Sequence, residues 1–221
     1  LKVRFEAETR ALRAYYYFNL VRMFKNVPLI LNTLGSDDYY NIPQATAEEV
    51  YEQIETDLTF AIANLPTSVG TEYARLNKGA AQAILGKVYL YENKMSLAAN
   101  TLAEVNGSNP GVGSSHANQY GNYLLNNFND LWIKTNKFNA ESILEVSHSS
   151  QNSHWGNWGG SADEGNTICV MVGPRSYTLL NSSQAPAMPS GWSFNVFTQD
   201  FYDFMSGDSR FDATVFDMKA L

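Results

Sequence analysis

The sequence contains a single cysteine, Cys169, in 221 residues. A lone cysteine excludes an internal disulfide, a zinc site made of thiolates and a redox pair within this chain. Free cysteine usually behaves as a small buried hydrophobe, so we expect Cys169 to lie in a core. Cysteine chemistry therefore gives no indication of function.

Long apolar runs and basic charge are also missing. No stretch approaches the roughly 20 apolar residues of a membrane span. The formal net charge of −7 argues against nucleic acid as a ligand, because phosphate binding needs clustered Lys and Arg. The same charge disfavours strongly acidic polymers. Neither an initiator Met nor an apolar signal run begins the sequence, and we expect further chain, including any targeting signal, beyond both ends.

Familiar catalytic motifs are absent as well. The sequence has no His-Glu-x-x-His pair, no phosphate-binding glycine loop and no nucleophile elbow. A glycosidase needs two carboxylates on facing elements, which the adjacent Asp163 and Glu164 do not supply alone. A calcium site at this pair lacks a full ligand pattern, and His148 and His154 are weak support for a metal. We therefore expect a protein that is not an enzyme and that holds no metal or cofactor.

The residues that are present predict a globular domain with a helical first half. Hydrophobic residues make up 44% of the chain and charged residues 17%, which suits a folded core. Positions 5–25 contain no Gly or Pro and are apolar nearly all round, which predicts a central, heavily buried helix. Thr46 and Glu49 have the capping-box pattern before a second helix. Two further helices are expected at 78–92 and 96–106.

The third and fourth of these helices carry a repeat signature. Six residues fall at the spacing of the tetratricopeptide (TPR) pattern: Leu85, Gly86, Tyr89, Ala98, Leu102 and Pro110. Gly86 and Ala98 let two antiparallel helices approach closely, and Tyr89 and Leu102 fill the seam. The predicted fold class is therefore mostly α, a TPR-like helical repeat (an α-α superhelix) with long ligand-binding loops and minor β.

The composition changes after the fourth helix, where Gly, Ser and Asn predominate. We divide the chain into a TPR-like helical region at 1–110 and a loop-rich, ligand-binding region of the same domain at 111–221. Within the second region, 143–148 predicts a short strand and 195–205 a final helix. The stretch at 149–166 is too rich in Gly, Ser and Asn for a regular element, and a loop of this length is usually functional or disordered.

Five sequence blocks resemble the SusD/RagB family and occur in the family's order. They are AETRALRAYYYF at 7–18, EEVYEQI at 48–54, RLNKGAA at 75–81, ESILEV at 141–146 and GDSR at 207–210. The first three resemble the family's TPR-like helices, the fourth a strand and the last a Gly-Asp-x-Arg turn. By this resemblance the chain is similar to a central fragment of a SusD-like nutrient-binding protein.

The resemblance implies a lipoprotein on the outer membrane, at the cell surface of Bacteroidetes-type bacteria. Such a protein sits on a SusC-like TonB-dependent transporter and captures oligosaccharides or polysaccharides for nutrient uptake, without catalysis. The family's lipidated cysteine would lie upstream of Leu1, so Cys169 is not the anchor. Two alternatives stay open: a TPR-like scaffold that binds a protein partner, and a RagB-like relative that binds peptides.

A sugar-binding surface needs exposed aromatic rings with polar side chains beside them, because sugars present hydroxyls around apolar C–H faces. Trp155 and Trp158 lie on a polar, Gly-rich stretch, with Asn152 and Asn157 as polar neighbours. We predict that these four residues bind the ligand. The competing interpretation is that both tryptophans fold down as a lid on the helices.

Two further aromatic residues are candidates for the ligand surface. Trp192 is flanked by Gly and Ser, and Tyr39 lies beside Tyr40 in the long connection between the first two helices. Trp132 follows Leu131 in an apolar stretch, and we expect it in the core. The residues do not distinguish one glycan from another.

Overall fold

The computed structural model describes residues 1–147, 171–175 and 191–215. They belong to two compact units, Leu1–Glu145 and Val146–Leu221. Nine residues named in the sequence analysis lie outside the described residues: His148, Asn152, His154, Trp155, Asn157, Trp158, Asp163, Glu164 and Cys169. The predicted division of one domain at residue 110 stays a prediction.

Four helices form the framework of the first unit: α1 (Lys2–Phe24), α2 (Ala47–Asn64), α3 (Lys78–Tyr91) and α4 (Met95–Asn106). Two short strands, β1 (Val27–Pro28) and β2 (Gln44–Ala45), form an antiparallel pair in the connection between α1 and α2. Three short 3-10 helices follow at Ser114–His116, Phe128–Trp132 and Lys134–Asn136. The second unit contributes α5 (Gln199–Met205) and α6 (Phe211–Thr214). The predicted fold class, mostly helical with minor β, is confirmed.

The helix starts follow the local sequence closely. Thr46 accepts a hydrogen bond from the Glu49 amide at 3.2 Å, and Glu49 accepts one from the Thr46 amide at 2.8 Å. This reciprocal pair is the predicted capping box, and it satisfies two amides that have no partner within the helix. Asn77 does the same for α3 by accepting from the Ala80 amide at 2.8 Å.

The helices pack in chain order, α1 on α2, α2 on α3 and α3 on α4. At the α3–α4 seam, a Cβ added to Gly86 would lie 2.5 Å from the Leu102 side chain. Real Cβ atoms do not approach other atoms so closely, so glycine is required for this spacing. The predicted role of Gly86 and Leu102 in a TPR-like seam is confirmed.

The contact between α1 and α2 combines small apolar residues with one buried ion pair. Ala7, Ala11 and Ala14 on α1 are fully buried, so the two helices lie close together. Asp57 on α2 is also buried, and Arg13 donates two hydrogen bonds to its carboxylate at 2.7 and 2.8 Å. A buried carboxylate is stable only with such partners, so this pair fixes α1 against α2.

The outer face of α1 departs from the prediction of a helix buried all round. One line of apolar residues along it is exposed: Phe5, Leu12, Tyr16, Leu20 and Met23. Their spacing of three, four or seven places them on one side of the helix, opposite the alanine face. Helix α2 is the main described element that packs on α1, and the buried residues lie on the opposite side of α1, which explains the difference. We call these five residues the outer line of α1.

The strand predicted at 143–148 is not formed in its described part, 143–147. The hydrogen bonds near it join side chains to the backbone of the preceding residues, 138–142. The Asn122 amide donates to the carbonyls of Ala140 and Ser142 at 3.1 and 2.9 Å, and Glu145 accepts from the Phe138 amide at 2.9 Å. These bonds hold the backbone in an irregular path.

The end of the chain contains a shorter helix than predicted. Helix α5 begins at Gln199, not at residue 195, because Thr198 caps it by accepting from the Phe201 amide at 3.2 Å. In the turn that follows, Arg210 donates to Asp208 at 2.6 and 2.8 Å and holds the pKa of that carboxyl well below its usual range.

Among the described residues, none of the helices has the length and hydropathy that crossing a membrane requires.

Candidate functional site

The predicted ligand residue Tyr39 lies on the surface of the first unit. Its side chain is 64% exposed, and that of its neighbour Tyr40 is 95% exposed. Both belong to the connection between β1 and β2. Two adjacent exposed phenol rings are unusual on a protein surface, because large aromatic side chains are mostly buried. They present apolar faces together with hydroxyl groups.

The connection that carries these rings is closed at its base. Val27 pairs with Ala45 and Pro28 with Gln44, so the segment between them begins and ends at the same place. The Tyr17 hydroxyl on α1 accepts a hydrogen bond from the Ile30 amide at 2.7 Å. The connection is therefore attached both to the strand pair and to the first helix.

A hydrogen-bonded turn directly precedes the two tyrosines. The Gly35 amide donates to the Asp38 carboxylate at 3.1 Å, and the Asp38 amide donates to the Gly35 carbonyl at 3.1 Å. The Asn41 amide in turn donates to the Asp38 carbonyl at 3.1 Å. Because the turn satisfies its own polar groups, Tyr39 and Tyr40 are held outward without entering the core.

Trp192, the second predicted aromatic residue, lies in the second unit and is half-buried. Its ring centroid is 5.3 Å from that of Phe194, at an interplanar angle of 42°. Three backbone hydrogen bonds of 2.7 to 2.9 Å tie 191–194 to 171–174. Phe194 is exposed, so the two rings form one aromatic surface. Sequence reasoning missed Phe194, although its position two residues after Trp192 was a usable signal.

Trp132, expected in the core, is 68% exposed, so that prediction is wrong. It ends the 3-10 helix Phe128–Trp132, in which Leu131 and Phe128 are half-buried instead. Trp132 lies at the edge of an open groove of about 340 Å³. In so short a helix only some residues can face inward, and sequence pattern does not say which.

The remaining predictions for the site are untested by the described residues. Asn152, Asn157, Trp155 and Trp158 lie outside them, and their role as ligand residues stays a prediction. Within the described ranges, no three His, Cys, Asp or Glu side chains gather where they would hold a metal ion. That no metal or cofactor is used also stays a prediction.

Comparison with known proteins gives a consistent result. Residues 3–90 match the model of the family SusD-like_3, described as starch-binding and associating with the outer membrane. A SusD-like protein of Bacteroides ovatus is 32% identical over 154 residues, which are 66% of this chain and 26% of the relative. The chain thus spans about a quarter of the length of that curated relative.

Solved structures are similar over nearly the whole chain. A laminarin-binding SusD-like protein is 52% identical with a TM-score of 0.90, over 99% of this chain and 47% of the other. Surface glycan-binding protein A from Bacteroides thetaiotaomicron, solved in complex with laminarihexaose, is 22% identical with a TM-score of 0.75, over 99% of this chain and 43% of the other. At that identity the second likeness shows the fold alone.

Proposed function

This chain belongs to the SusD-like family, and from that premise we propose that it is a cell-surface glycan-binding protein that does not act on its ligand catalytically. The observation that carries the proposal is the 52% identity, over 99% of the chain, to a laminarin-binding SusD-like protein. Identity at this level over the whole length favours a ligand of the same class. Laminarin, a neutral glucose polymer, is therefore the first ligand to test.

The exposed aromatic surfaces suit this ligand. Stacking a sugar on one ring removes about 100 Å² from water, which contributes about 2.5 kcal/mol at 25 cal/mol per Å². Two such contacts, less the ordering cost of binding, correspond to dissociation constants of roughly micromolar to millimolar. We assign the contacts to Tyr39 with Tyr40, to Trp192, and to the predicted pair Trp155 and Trp158 with their neighbours Asn152 and Asn157.

The proposal extends to location and partner. The family's description places its members at the outer membrane. We propose that this protein is anchored there by a lipidated cysteine outside the chain, and that it delivers glycan to a SusC-like TonB-dependent transporter. A partner of this kind requires a second surface, separate from the one that binds glycan.

A second candidate function is that of a protein-interaction scaffold, or of a relative that binds peptides. The observation that favours it is the outer line of α1, where five apolar residues are exposed at helical spacing. An apolar stripe of this kind is typical of a helix that packs against another chain. In the glycan-capture proposal, the same stripe serves the transporter.

One pair of double variants separates the two functions. We expect Tyr39→Ala/Tyr40→Ala to weaken laminarin binding at least tenfold in calorimetry and to leave binding of the purified transporter unchanged. Tyr16→Ala/Met23→Ala removes residues of similar exposure from the outer line of α1, and we expect the reverse pattern. If Tyr16→Ala/Met23→Ala loses both laminarin binding and transporter binding, while Tyr39→Ala/Tyr40→Ala loses neither, the scaffold function is favoured.

The predicted tryptophans need their own test. Trp155→Ala/Trp158→Ala, checked for folding by thermal unfolding, is expected to lose the change in intrinsic fluorescence that laminarin causes. An unchanged affinity for laminarin would mean that neither ring contacts the ligand. Failure of the unmodified protein to bind any neutral glycan would overturn the proposed function itself.

A further inference from the structure

We propose that the groove beside Trp132 is a sugar-binding site that takes one or two units of a neutral glycan. This inference rests on the proposed function only for the class of ligand. The groove lies in the first unit and is lined by Trp132, Ile133, Asn136, Lys137, Glu141 and Glu145, among others. We call it the Trp132 groove. Tyr39 and Tyr40 are not among the residues that line it.

The apolar wall of the Trp132 groove is made by two exposed side chains. Trp132 is 68% exposed, and Ile133 beside it is also exposed. The Trp132 ring meets Phe128 edge to face, with ring centroids 6.0 Å apart. An edge contact steadies an indole ring and leaves a face open. A face of this kind accepts the C–H side of a sugar ring.

The short helix that carries the ring is fixed at both ends. Asn127 caps its start by accepting from the Asn129 amide at 3.1 Å. The side-chain amide of Asn136 donates to the Asp130 carbonyl at 2.9 Å, which ties the next turn to the same helix. These hydrogen bonds hold the backbone that carries Trp132 before any ligand arrives, which lowers the ordering cost of binding.

The polar wall of the groove consists of two oriented carboxylates. One oxygen of Glu141 accepts from the Leu125 amide at 3.0 Å, and one oxygen of Glu145 accepts from the Phe138 amide at 2.9 Å. The other oxygen of each carboxylate has no hydrogen-bond partner among the described residues. Two held carboxylates in a groove that also contains an aromatic ring supply the kinds of group that recognise a sugar.

Size and charge limit what the groove accepts. Its volume of about 340 Å³ lies at the small end of ligand sites, which run from about 300 to 1,000 Å³. The glutamates outnumber the single lysine, Lys137, so the groove repels anionic sugars. Neutral sugars, whose hydroxyls donate to carboxylates, are accepted, and uronic acid polymers are not.

The test uses single variants of the protein and laminarihexaose as the probe. We expect Trp132→Ala to weaken laminarihexaose binding at least fivefold in calorimetry, and Trp132→Phe, which keeps an aromatic face, to restore most of the affinity. Phe24→Ala is the matched control, since Phe24 is an aromatic residue of similar exposure, 66%, in the same unit but lies outside the groove. Its affinity is expected to equal that of the unmodified protein.

A second variant tests the polar wall. Glu141→Gln keeps an oxygen for the Leu125 amide but replaces the open acceptor with a donor. We expect a severalfold loss of affinity for laminarihexaose, with the thermal unfolding midpoint unchanged within 1 to 2 °C (about 0.5 kcal/mol). Under the same conditions polyguluronate, an acidic sugar polymer, is expected not to bind the unmodified protein.

The outcomes separate this inference from the proposed function. If laminarihexaose binds the unmodified protein, and the Trp132→Ala and Glu141→Gln variants bind it equally well, the groove is not a sugar site although the protein binds glycan. If no neutral glycan binds the unmodified protein, the proposed function fails as well. A fall of more than about 5 °C in the unfolding midpoint of Trp132→Ala would show that the ring is a core residue, and would overturn the inference.

Discussion

The helices at 2–106 and the segment at 107–147 lie in the same unit but are held together in different ways. In the helices, each backbone amide finds its partner one turn away, and apolar faces supply the packing. In the segment at 107–147, several backbone amides depend on side chains instead. Asn118 accepts from the amides of Tyr120 and Asn122 at 2.8 and 2.9 Å, and Glu141 and Glu145 accept from further amides.

The comparison explains where exposed groups lie. The helical layer packs through apolar contacts, and most of its backbone polar groups bond within the helices. A segment held by Asn and Glu leaves open oxygens and exposed rings at its surface, as in the Trp132 groove. Substitutions should therefore disturb global stability in the helical layer and local order or binding in the segment. The predictions that follow run from the largest expected effect to the smallest.

The largest effect is expected from Arg13→Ala in the helical layer. The variant leaves Asp57, whose side chain is 1% exposed, charged without its two hydrogen bonds. We expect a loss of about 3 kcal/mol in the free energy of unfolding, measured by urea denaturation. Arg10, which reaches Asp57 only at 4.0 Å, is the matched control, and Arg10→Ala should cost clearly less. Equal losses in the two variants would contradict this account of the α1–α2 contact.

The second prediction concerns the α3–α4 seam. Gly86→Ala places a methyl group within 2.5 Å of Leu102, so we expect a loss of about 1–3 kcal/mol in the free energy of unfolding. Adding Leu102→Ala should make the combined loss smaller than the sum of the single losses, because it opens the space. Gly207→Ala, where a Cβ meets nothing within 4 Å, serves as the control. Strictly additive losses would show that the contact with Leu102 is not the cause.

The third prediction concerns the segment at 107–147. Asn122→Ala removes the donors to the carbonyls of Ala140 and Ser142, which should cost about 1–2 kcal/mol. Hydrogen exchange is expected to accelerate at 118–145 and to remain unchanged in α1 and α2. Asn126→Ala, at an exposed position without a side-chain hydrogen bond among the described residues, should change nothing measurable. Acceleration throughout the helices would mean that the two parts unfold as one.

The smallest effect is a dependence on pH. Hydrogen bonds from Arg75, and then from Arg4, lower the pKa of the Glu8 carboxyl in the folded protein. A depressed pKa stabilises the fold above the unfolded value of about 4.3, and this contribution is lost as pH falls through the folded pKa. We expect Glu8→Gln to reduce the acid dependence of the free energy of unfolding, measured by urea denaturation, by less than about 1 kcal/mol. An unchanged dependence would contradict the prediction.

The helical layer was largely predictable from the sequence. Helix starts were readable because capping uses residues three apart, as Thr46 and Glu49 do, and the seam was readable because Gly86 and Leu102 occupy repeat positions. The outer face of α1 was predicted wrongly. Apolar residues all round a helix indicate that it is covered, and the described residues cover only one side.

The loop-rich segment was much less predictable. The ESILEV block looks like a strand because it is apolar and β-branched, but the structure forms no strand there, and the Asn122 side-chain amide donates to the Ser142 carbonyl instead. Trp132 follows a leucine in an apolar stretch, yet a five-residue 3-10 helix turns only part of its residues inward. Tyr39 was readable as a surface residue because it lies in a long polar connection. Whether such a residue is buried, or such a segment forms a strand, depends on contacts with residues far away in the sequence. The local sequence pattern does not contain this information.

The most direct test of the central claim is calorimetric titration of the unmodified protein with laminarin at neutral pH. The account predicts saturable binding with a dissociation constant between about 1 μM and 1 mM. Because the proposed function is binding without catalysis, the polymer must keep its length during the titration. Chromatography of the recovered glycan measures that length. Absence of binding to laminarin and to every other neutral glycan tested would contradict the claim that this protein captures glycans.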